Sequence, residues 1–383
     1  MKAGWVLKRL GDLADLVTKG TTPTSIGHSF TQEGVNFIKV ESISIAGQFI
    51  KDKFAHVSIA CHADLRRSQL QAGDILFSIA GALGRTAFVT DDVLPANTNQ
   101  ALSIIRLKRD PDVSPEFVRK ALDTGFVLEQ VEKVKGGVAQ QNLSLAQVSD
   151  FKIPIPPLPE QQRIVAILDE AFDGIATARA NTEKNLQNAR ALFESHLQSV
   201  FMQLAEGWVE MTLGETCEMY QPKTIGTKDL IPDGPYPVFG ANGIIGRYDR
   251  FNHEEPQLLI TCRGATCGSV NISEPNSWIT GNAMVVRPKD HTLDLQFLEF
   301  AFRGGIDVST AITGAAQPQI TRTNLSPLLI RFPVLMAEQK RMAEIFEDLA
   351  EETKRLEFLY KRKLAALDEL KKSLLHKAFS GEL

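Results

Sequence analysis

The sequence predicts an α+β protein in which two mixed α/β globular domains are joined by two long antiparallel coiled-coil helices, the whole forming an internal pseudo-twofold repeat. Three observations carry this. The chain is written twice, each copy changes texture from loop-rich to proline-free, and 383 residues are enough for two separate cores.

The repeat opens with Gly4-Trp5-Val6 followed by Leu10-Gly11-Asp12, which recurs as Gly207-Trp208-Val209 followed by Leu213-Gly214-Glu215 with the spacing kept. Gly73 to Phe77 running into Gly81-Ala82 matches Gln257 to Ile260 running into Gly264-Ala265, and Val138-Ala139-Gln140 matches Ala315-Ala316-Gln317. Glu160-Gln161-Gln162-Arg163 against Glu338-Gln339-Lys340-Arg341 is the strongest match, because the same offset then holds without a gap to Phe201 and Phe379.

In order along the chain, residues 1–157 form a first globular domain, 158–203 a first long helix, 204–335 a second globular domain and 336–383 a second long helix. The globular stretches are rich in Gly, Thr, Asn and Pro. Their short β-branched runs, such as Ala101 to Leu107 and Ala283 to Arg287, read as strands between long loops, and Pro115 to Leu122 and Leu295 to Phe302 as short helices. Pro154 to Pro159 and Arg331-Phe332-Pro333 precede the long helices and set stiff exits, since proline fixes φ and keeps its predecessor out of the helix.

The helical stretches carry a 3.5-residue seam. It runs through Ile164, Leu168, Ala171, Ile175, Ala178, Thr182, Asn185, Ala189, Leu192 and His196 in the first copy. In the second it runs through Met342, Phe346, Leu349, Thr353, Leu356, Tyr360, Lys363, Leu367, Leu370 and Leu374. A helix of about 43 residues is roughly 65 Å long and cannot bury such a stripe alone. Equal length and equal register favour the two helices packing on each other, antiparallel, in a dumbbell with one domain at either end.

Composition excludes several classes. Charged residues at 23% and apolar ones at 43% rule out disorder and disulfide scaffolds, and no apolar run approaches the roughly 18 residues of a membrane span. No leader-like apolar core follows the N-terminal lysines, so a cytoplasmic protein is expected. Cys61, Cys217, Cys262 and Cys267 lack the paired spacing of a zinc site and are expected as thiols. Glycine-rich cofactor loops, phosphate loops and His-Glu-x-x-His pairs are missing, the seven histidines are scattered, and Glu352 with Lys354 lacks the upstream acid of a metal nuclease. Neither catalysis nor metal binding is expected of this chain.

Net charge is −4, so DNA binding cannot be argued from bulk basicity. What each globular domain has is polar loops with interspersed cations: Lys19, Thr21 and Thr22 in the first, Lys223 in the corresponding place of the second, and Arg85 and Arg263 flanking the paired glycine turns. Gln140, Gln141 and Asn142 correspond to Gln317 and Gln319. These residue types can bond base edges, and glycine admits close backbone approach to phosphate; the same residues also make ordinary solvated loops.

Gly137-x-Ala139-Gln140, then Ile153 to Pro159, Glu160-Gln161-Gln162-Arg163-Ile164 and a long helix, the whole unit repeated, resembles the DNA-specificity subunit of type I restriction-modification systems. The second copy replaces the proline-rich joint by Pro333-Val334-Leu335-Met336-Ala337 but keeps Glu338-Gln339. The resemblance covers essentially the whole chain. It implies two target recognition domains, each reading one half of a bipartite asymmetric site in double-stranded DNA, with no active site in this chain and with the residues named above as DNA contacts. It further implies two methyltransferase subunits that modify adenine with S-adenosylmethionine, and a motor-nuclease subunit using ATP and Mg. The competing readings are a coiled-coil adaptor whose domains bind protein or glycan, and an enzyme with a cryptic site in one domain.

Overall fold

The computed structural model describes residues 1–383 except 1, 3, 46, 135–141, 204, 205, 241, 315 and 316. It divides into two compact units, Met1–Asn181 with Leu364–Leu383, and Thr182–Lys363, so each unit holds one globular part and a segment of both long helices.

The first unit contains strands β1 (Val6–Arg9), β2 (Ala14–Lys19), β3 (Phe30–Thr31), β4 (Val35–Ile38), β5 (Ala55–Val57), β6 (Ile75–Ser78), β7 (Thr86–Phe88), β8 (Ala96–Thr98), β9 (Leu102–Leu107) and β10 (Lys152–Ile155). Its short helices are α1 (Leu10–Leu13), α2 (Ile59–Asp64), α3 (Pro115–Leu122), α4 (Gly125–Val134) and α5 (Leu145–Asp150), and the long helix α6 spans Leu158–Met202. An antiparallel sheet in the order β2-β9-β6-β7 lies against a second sheet, β3-β5-β4-β8, and β1 pairs with β10 to close the globular part where α6 leaves it. The period of two along β6 explains the layering: Ile75 and Phe77 join a core with α3, while Leu76 joins Ile38 and Ile104 toward the second sheet. Helix α3 starts where the sequence says it should, with Ser114 accepting the Phe117 N–H as its cap and Pro115 in the first turn.

The second unit repeats the plan with β11 (Trp208–Thr212), β12 (Cys217–Tyr220), β13 (Tyr236–Gly240), β14 (Gly243–Tyr248), β15 (Leu258–Thr261), β16 (Val270–Ile272), β17 (Trp278–Ile279), β18 (Ala283–Pro288) and β19 (Leu329–Pro333). Its short helices are α7 (Leu213–Thr216), α8 (Leu295–Gly304) and α9 (Arg322–Leu325), and the long helix α10 spans Met336–Ser380. The main sheet is β12-β18-β15-β16, the smaller one β14-β13-β17, and β11 pairs with β19. The register makes Ile75 equivalent to Leu258, since each faces the matching residue of the central strand, Ile105 or Val286.

Each core is completed from the far end of the other helix. Leu375, Ala378 and Phe379 of α10 enter the first core, where the Phe379 ring lies 4.8 Å from that of Phe117. Leu197 and Phe201 of α6 enter the second, with Phe201 5.4 Å from Phe297. The two helices are antiparallel in both units. In the first, Arg163 donates to the Leu383 carbonyl at 2.7 Å and Arg179 pairs with Asp368 at 2.6 Å; in the second, Arg190 grips Glu357 with two bonds of 2.8 and 2.7 Å.

The seam follows the sequence expectation along the first half of α6, where Ile164, Leu168 and Thr182 are buried, and departs from it at alternate positions of α10 and near the end of α6. On α10, Phe346 is buried as expected, but Ala343 and Ala350 are buried in place of Met342 and Leu349, and Leu349, Leu356 and Leu370 stay 39%, 37% and 47% exposed. On α6, Phe193 and Leu197 face inward, leaving Leu192 and His196 exposed. The cause is size and pairing rather than hydrophobicity: small Ala343 and Ala350 allow close approach around Phe346, which packs between Phe201 and Phe300, and Glu357 takes an inward slot because Arg190 neutralises it.

The glutamine that starts each long helix is buried. Gln161 donates its amide to the carbonyls of Pro156 at 2.7 Å and Asp112 at 2.8 Å, and accepts the Ser114 N–H at 2.8 Å, locking β10, α3 and α6 together. No helix among the described residues is long and apolar enough to cross a membrane.

Candidate nucleic-acid interface

One end of each main sheet gathers the candidate residues. In the first unit, β2 ends on Lys19, β6 ends on Ser78, and β9 and β7 begin beside them. Gly20 follows Lys19 because nothing larger fits: a Cβ there would come within 2.0 Å of the Thr98 carbonyl oxygen. Past β6 the chain turns through Gly81 at φ +75°, and Ser78 holds the turn by accepting the Arg85 N–H at 2.7 Å and donating to the Ala82 carbonyl at 2.5 Å. The segment before α5 joins the same end, with Ala80 and Asn142 forming an antiparallel bridge and the Leu143 N–H reaching the Ile79 carbonyl at 2.9 Å.

Lys19 and Asn142 are exposed there, and Lys19 forms no ion pair among the described residues. Thr21 is fixed through its N–H to the Thr98 carbonyl at 3.1 Å, and the Thr22 hydroxyl bonds to Gln100. Arg85 fastens the turn, because its Nη1 donates to the carbonyls of Ile43 at 2.9 Å and Val40 at 3.4 Å and ties it to the second sheet. Gln140 and Gln141 lie outside the described residues. Arg67, which sequence patterning does not single out, reaches the Thr18 hydroxyl at 3.3 Å, next to Lys19; the Arg66-Arg67 pair is the signal that could have found it.

The second unit builds the same frame with different side chains. Arg263 and Gln319 form the antiparallel bridge that Ala80 and Asn142 form in the first, and the Ile320 N–H meets the Cys262 carbonyl at 2.9 Å. Arg263 is thus the counterpart of Ala80, whereas Arg85 sits at the far side of its turn. Gln319 is held further by reciprocal backbone bonds with Thr313 of 2.8 and 2.9 Å, and Gln317 is exposed just before it. Arg263 and Gln319 line, with Tyr220, Gln221 and Arg322, a cleft of about 230 Å³, and exposed Lys223 lies two residues beyond Gln221.

Tyr220 is fixed from behind. Its hydroxyl lies 2.8 Å from His253 Nε2, and His253 Nδ1 lies 2.7 Å from the Asn252 side-chain oxygen. Burial, with the Arg287 guanidinium nearby, holds the His253 pKa below the usual histidine value, so the ring is neutral near pH 7. No cluster of three His, Cys, Asp or Glu side chains that could hold a metal occurs among the described residues, and burial pushes the Cys217 thiol up to about 11.

Two like α+β parts, each presenting an exposed cationic and carboxamide surface at one sheet end and each completed by the same pair of helices, define a two-part recognition scaffold. The chain belongs to the family described as Type I restriction modification DNA specificity domain, which matches residues 2–187 and 205–361. It is similar to the EcoprrI specificity subunit of Escherichia coli, 25% identical over 289 residues that cover 70% of this chain and 69% of that one. It is also similar to the EcoBI specificity subunit of Escherichia coli, 26% identical over 178 residues, but there the match covers 46% of this chain and only 36% of the relative. Among solved structures, a chain from work on complex assembly and conformational transition of the type I R-M system superposes with a TM-score of 0.83 at 23% identity, over 100% of this chain and 99% of that one. The HsdS subunit of Thermoanaerobacter tengcongensis gives 0.63 at 21% identity, over 100% and 98%. These structural likenesses establish the fold: two β-rich globular parts and two long paired helices.

Proposed function

We propose that this chain supplies the sequence specificity of a type I restriction-modification enzyme by reading a bipartite, asymmetric site in double-stranded DNA, one half with each globular part (residues 1–157 and 204–335). The helices of 158–203 and 336–383 set the unread spacer and dock two methyltransferase subunits. The observation that carries this is the repeated bridge: one backbone frame presents Ala80 and Asn142 in the first part and Arg263 and Gln319 in the second. Equal frames fit equivalent positions on DNA, and unequal side chains read different bases there, which gives two halves that differ in sequence.

Lys19, Thr21, Thr22, Gln140, Gln141 and Asn142 serve the first half, with Arg85 holding the Gly81 turn; Lys223, Arg263, Gln317 and Gln319 serve the second. Lysines contact phosphate and position the protein, while arginine and carboxamides carry the base readout. The chemistry belongs to the partners: adenine methylation with S-adenosylmethionine in the methyltransferase subunits, and ATP- and Mg-dependent cleavage in a motor-nuclease subunit. Partner cations around the duplex offset the −4 charge of this chain, and the assembly works in the cytoplasm, where the DNA is.

Mapping methylated adenine in cells with the partner methyltransferase, with and without this chain, tests the reading. A split motif that appears only with the chain is expected. Methylation that is unchanged by removing the chain, or a motif without an unread spacer, overturns it.

A further inference from the structure

We propose that the cleft at the end of β12 is the base-reading pocket for the second half-site and that Arg263 reads a guanine there, with Gln319 reading the adjoining base. The proposal rests on the reading above that the second globular part binds DNA, and it goes further by assigning the residue and the base.

The chemistry of the lining selects the ligand. Arg263 and Arg322 bring two guanidiniums, Gln221 and Gln319 two carboxamides, and no carboxylate among the described residues lines the cleft. Such a set asks for a partner edge rich in hydrogen-bond acceptors. The major-groove edge of guanine presents O6 and N7 side by side, and the planar guanidinium fork matches that pair with two parallel bonds, which an ammonium cannot do.

Geometry singles out Arg263. Its side chain is exposed and makes no hydrogen bond or ion pair among the described residues. Its backbone is immobilised on both sides: the Ile320 N–H bonds to the Cys262 carbonyl at 2.9 Å, and the Gly264 N–H bonds to the Pro318 carbonyl at 3.1 Å. A free donor fork on a fixed backbone loses side-chain freedom alone on binding. Gln319 is its partner across the antiparallel bridge, and residues directly opposite in such a pair project from the same face with Cβ atoms about 5 Å apart. The two side chains therefore leave the protein together and meet neighbouring bases.

Tyr220 acts as a wall rather than a reader. Asn252 accepts the Ile279 N–H at 2.8 Å and donates to the Ile279 carbonyl at 2.9 Å, which fixes its side-chain oxygen toward His253. His253 Nδ1 must then donate to that oxygen, leaving Nε2 to accept the Tyr220 hydroxyl proton. The hydroxyl is spent, and the ring is what the cleft receives.

The test is competition binding by the assembled methyltransferase carrying the full chain, at fixed salt, with duplexes of the methylated motif altered one base pair at a time. The native chain should discriminate for guanine at one position of the second half. Arg263→Ala should reduce discrimination there about 10- to 100-fold and leave the first half as it was. Arg263→Gln should move the preference at that same position toward adenine, and Tyr220→Phe should keep the native pattern. Native discrimination at every second-half position in both Arg263 variants overturns the assignment while leaving DNA reading by this part intact. A native protein that discriminates at no position of the second half overturns the underlying reading as well. Intact first-half discrimination shows in each case that the variant has folded and assembled.

Discussion

Gln161 and Gln339 make the same hydrogen bonds at the same place in the two copies of the fold. Gln339 donates to the carbonyls of Pro333 at 2.8 Å and Thr292 at 3.1 Å and accepts the Asp294 N–H at 2.8 Å, as Gln161 does with Pro156, Asp112 and Ser114. Both side chains are fully buried, so each bond is made where water cannot replace it. Gln161→Leu leaves one N–H and two carbonyls without their partner and should cost about 1–3 kcal/mol. A lowered denaturation midpoint, with the second unit unaffected in hydrogen exchange, is the expected result; Gln339→Leu should do the converse.

The cores that close across the chain give a second prediction. Phe379→Ala removes a buried ring from the first core and should destabilise it by about 3 kcal/mol. Amide protection should fall in α3 and hold in α8, although residue 379 is far from α3 in sequence. Phe201→Ala should loosen α8 and leave α3 protected.

The ion pair between the helices sets an acid limit. Arg190, through its hydrogen bonds first, holds the Glu357 carboxyl down to about 2. A carboxyl lowered on folding contributes stability above its unfolded value of about 4.3, and that contribution drains away as pH falls through the folded value. The stability gap between the native protein and Glu357→Gln should be constant above pH about 5 and should close as pH approaches about 2, in thermal melts across that range.

Lys19 and Arg85 should part company when replaced. Lys19→Ala should weaken DNA binding by the assembled enzyme similarly for all sequences and lower the salt slope by about 1, as loss of one phosphate contact does. Arg85→Ala should instead cost about 1–2 kcal/mol of stability in the first unit, because the Ile43 and Val40 carbonyls lose their donor.

Much of the fold is legible in the chain. The repeat, α3 with its Ser-Pro start, and both long helices follow from spacing and capping chemistry that act locally, whereas the pairing of β1 with β10 and of β11 with β19 joins strands more than 100 residues apart and shows only in the structure. The seam is half legible: a 3.5-residue period fixes the alternation but not which of two adjacent residues faces in, and that is decided by the small size of Ala343 and Ala350 and by the Arg190–Glu357 pair. The buried role of Gln161 is hidden because its partners lie 47 and 49 positions away. At the candidate site, composition finds Arg263, Gln319 and Arg85 alike, and what sets Arg85 apart is hidden in sequence because the carbonyls its Nη1 bonds, Ile43 and Val40, lie 42 and 45 positions away.

The most direct test of two-part reading is exchange of the second globular part, residues 204–335, for that of a relative with a different target, followed by mapping of methylated adenine in cells with the partner methyltransferase. The native motif should keep its first half and spacer and take on the donor's second half. A motif altered in both halves, or one that keeps the native second half, would contradict the assignment of one half-site to each globular part.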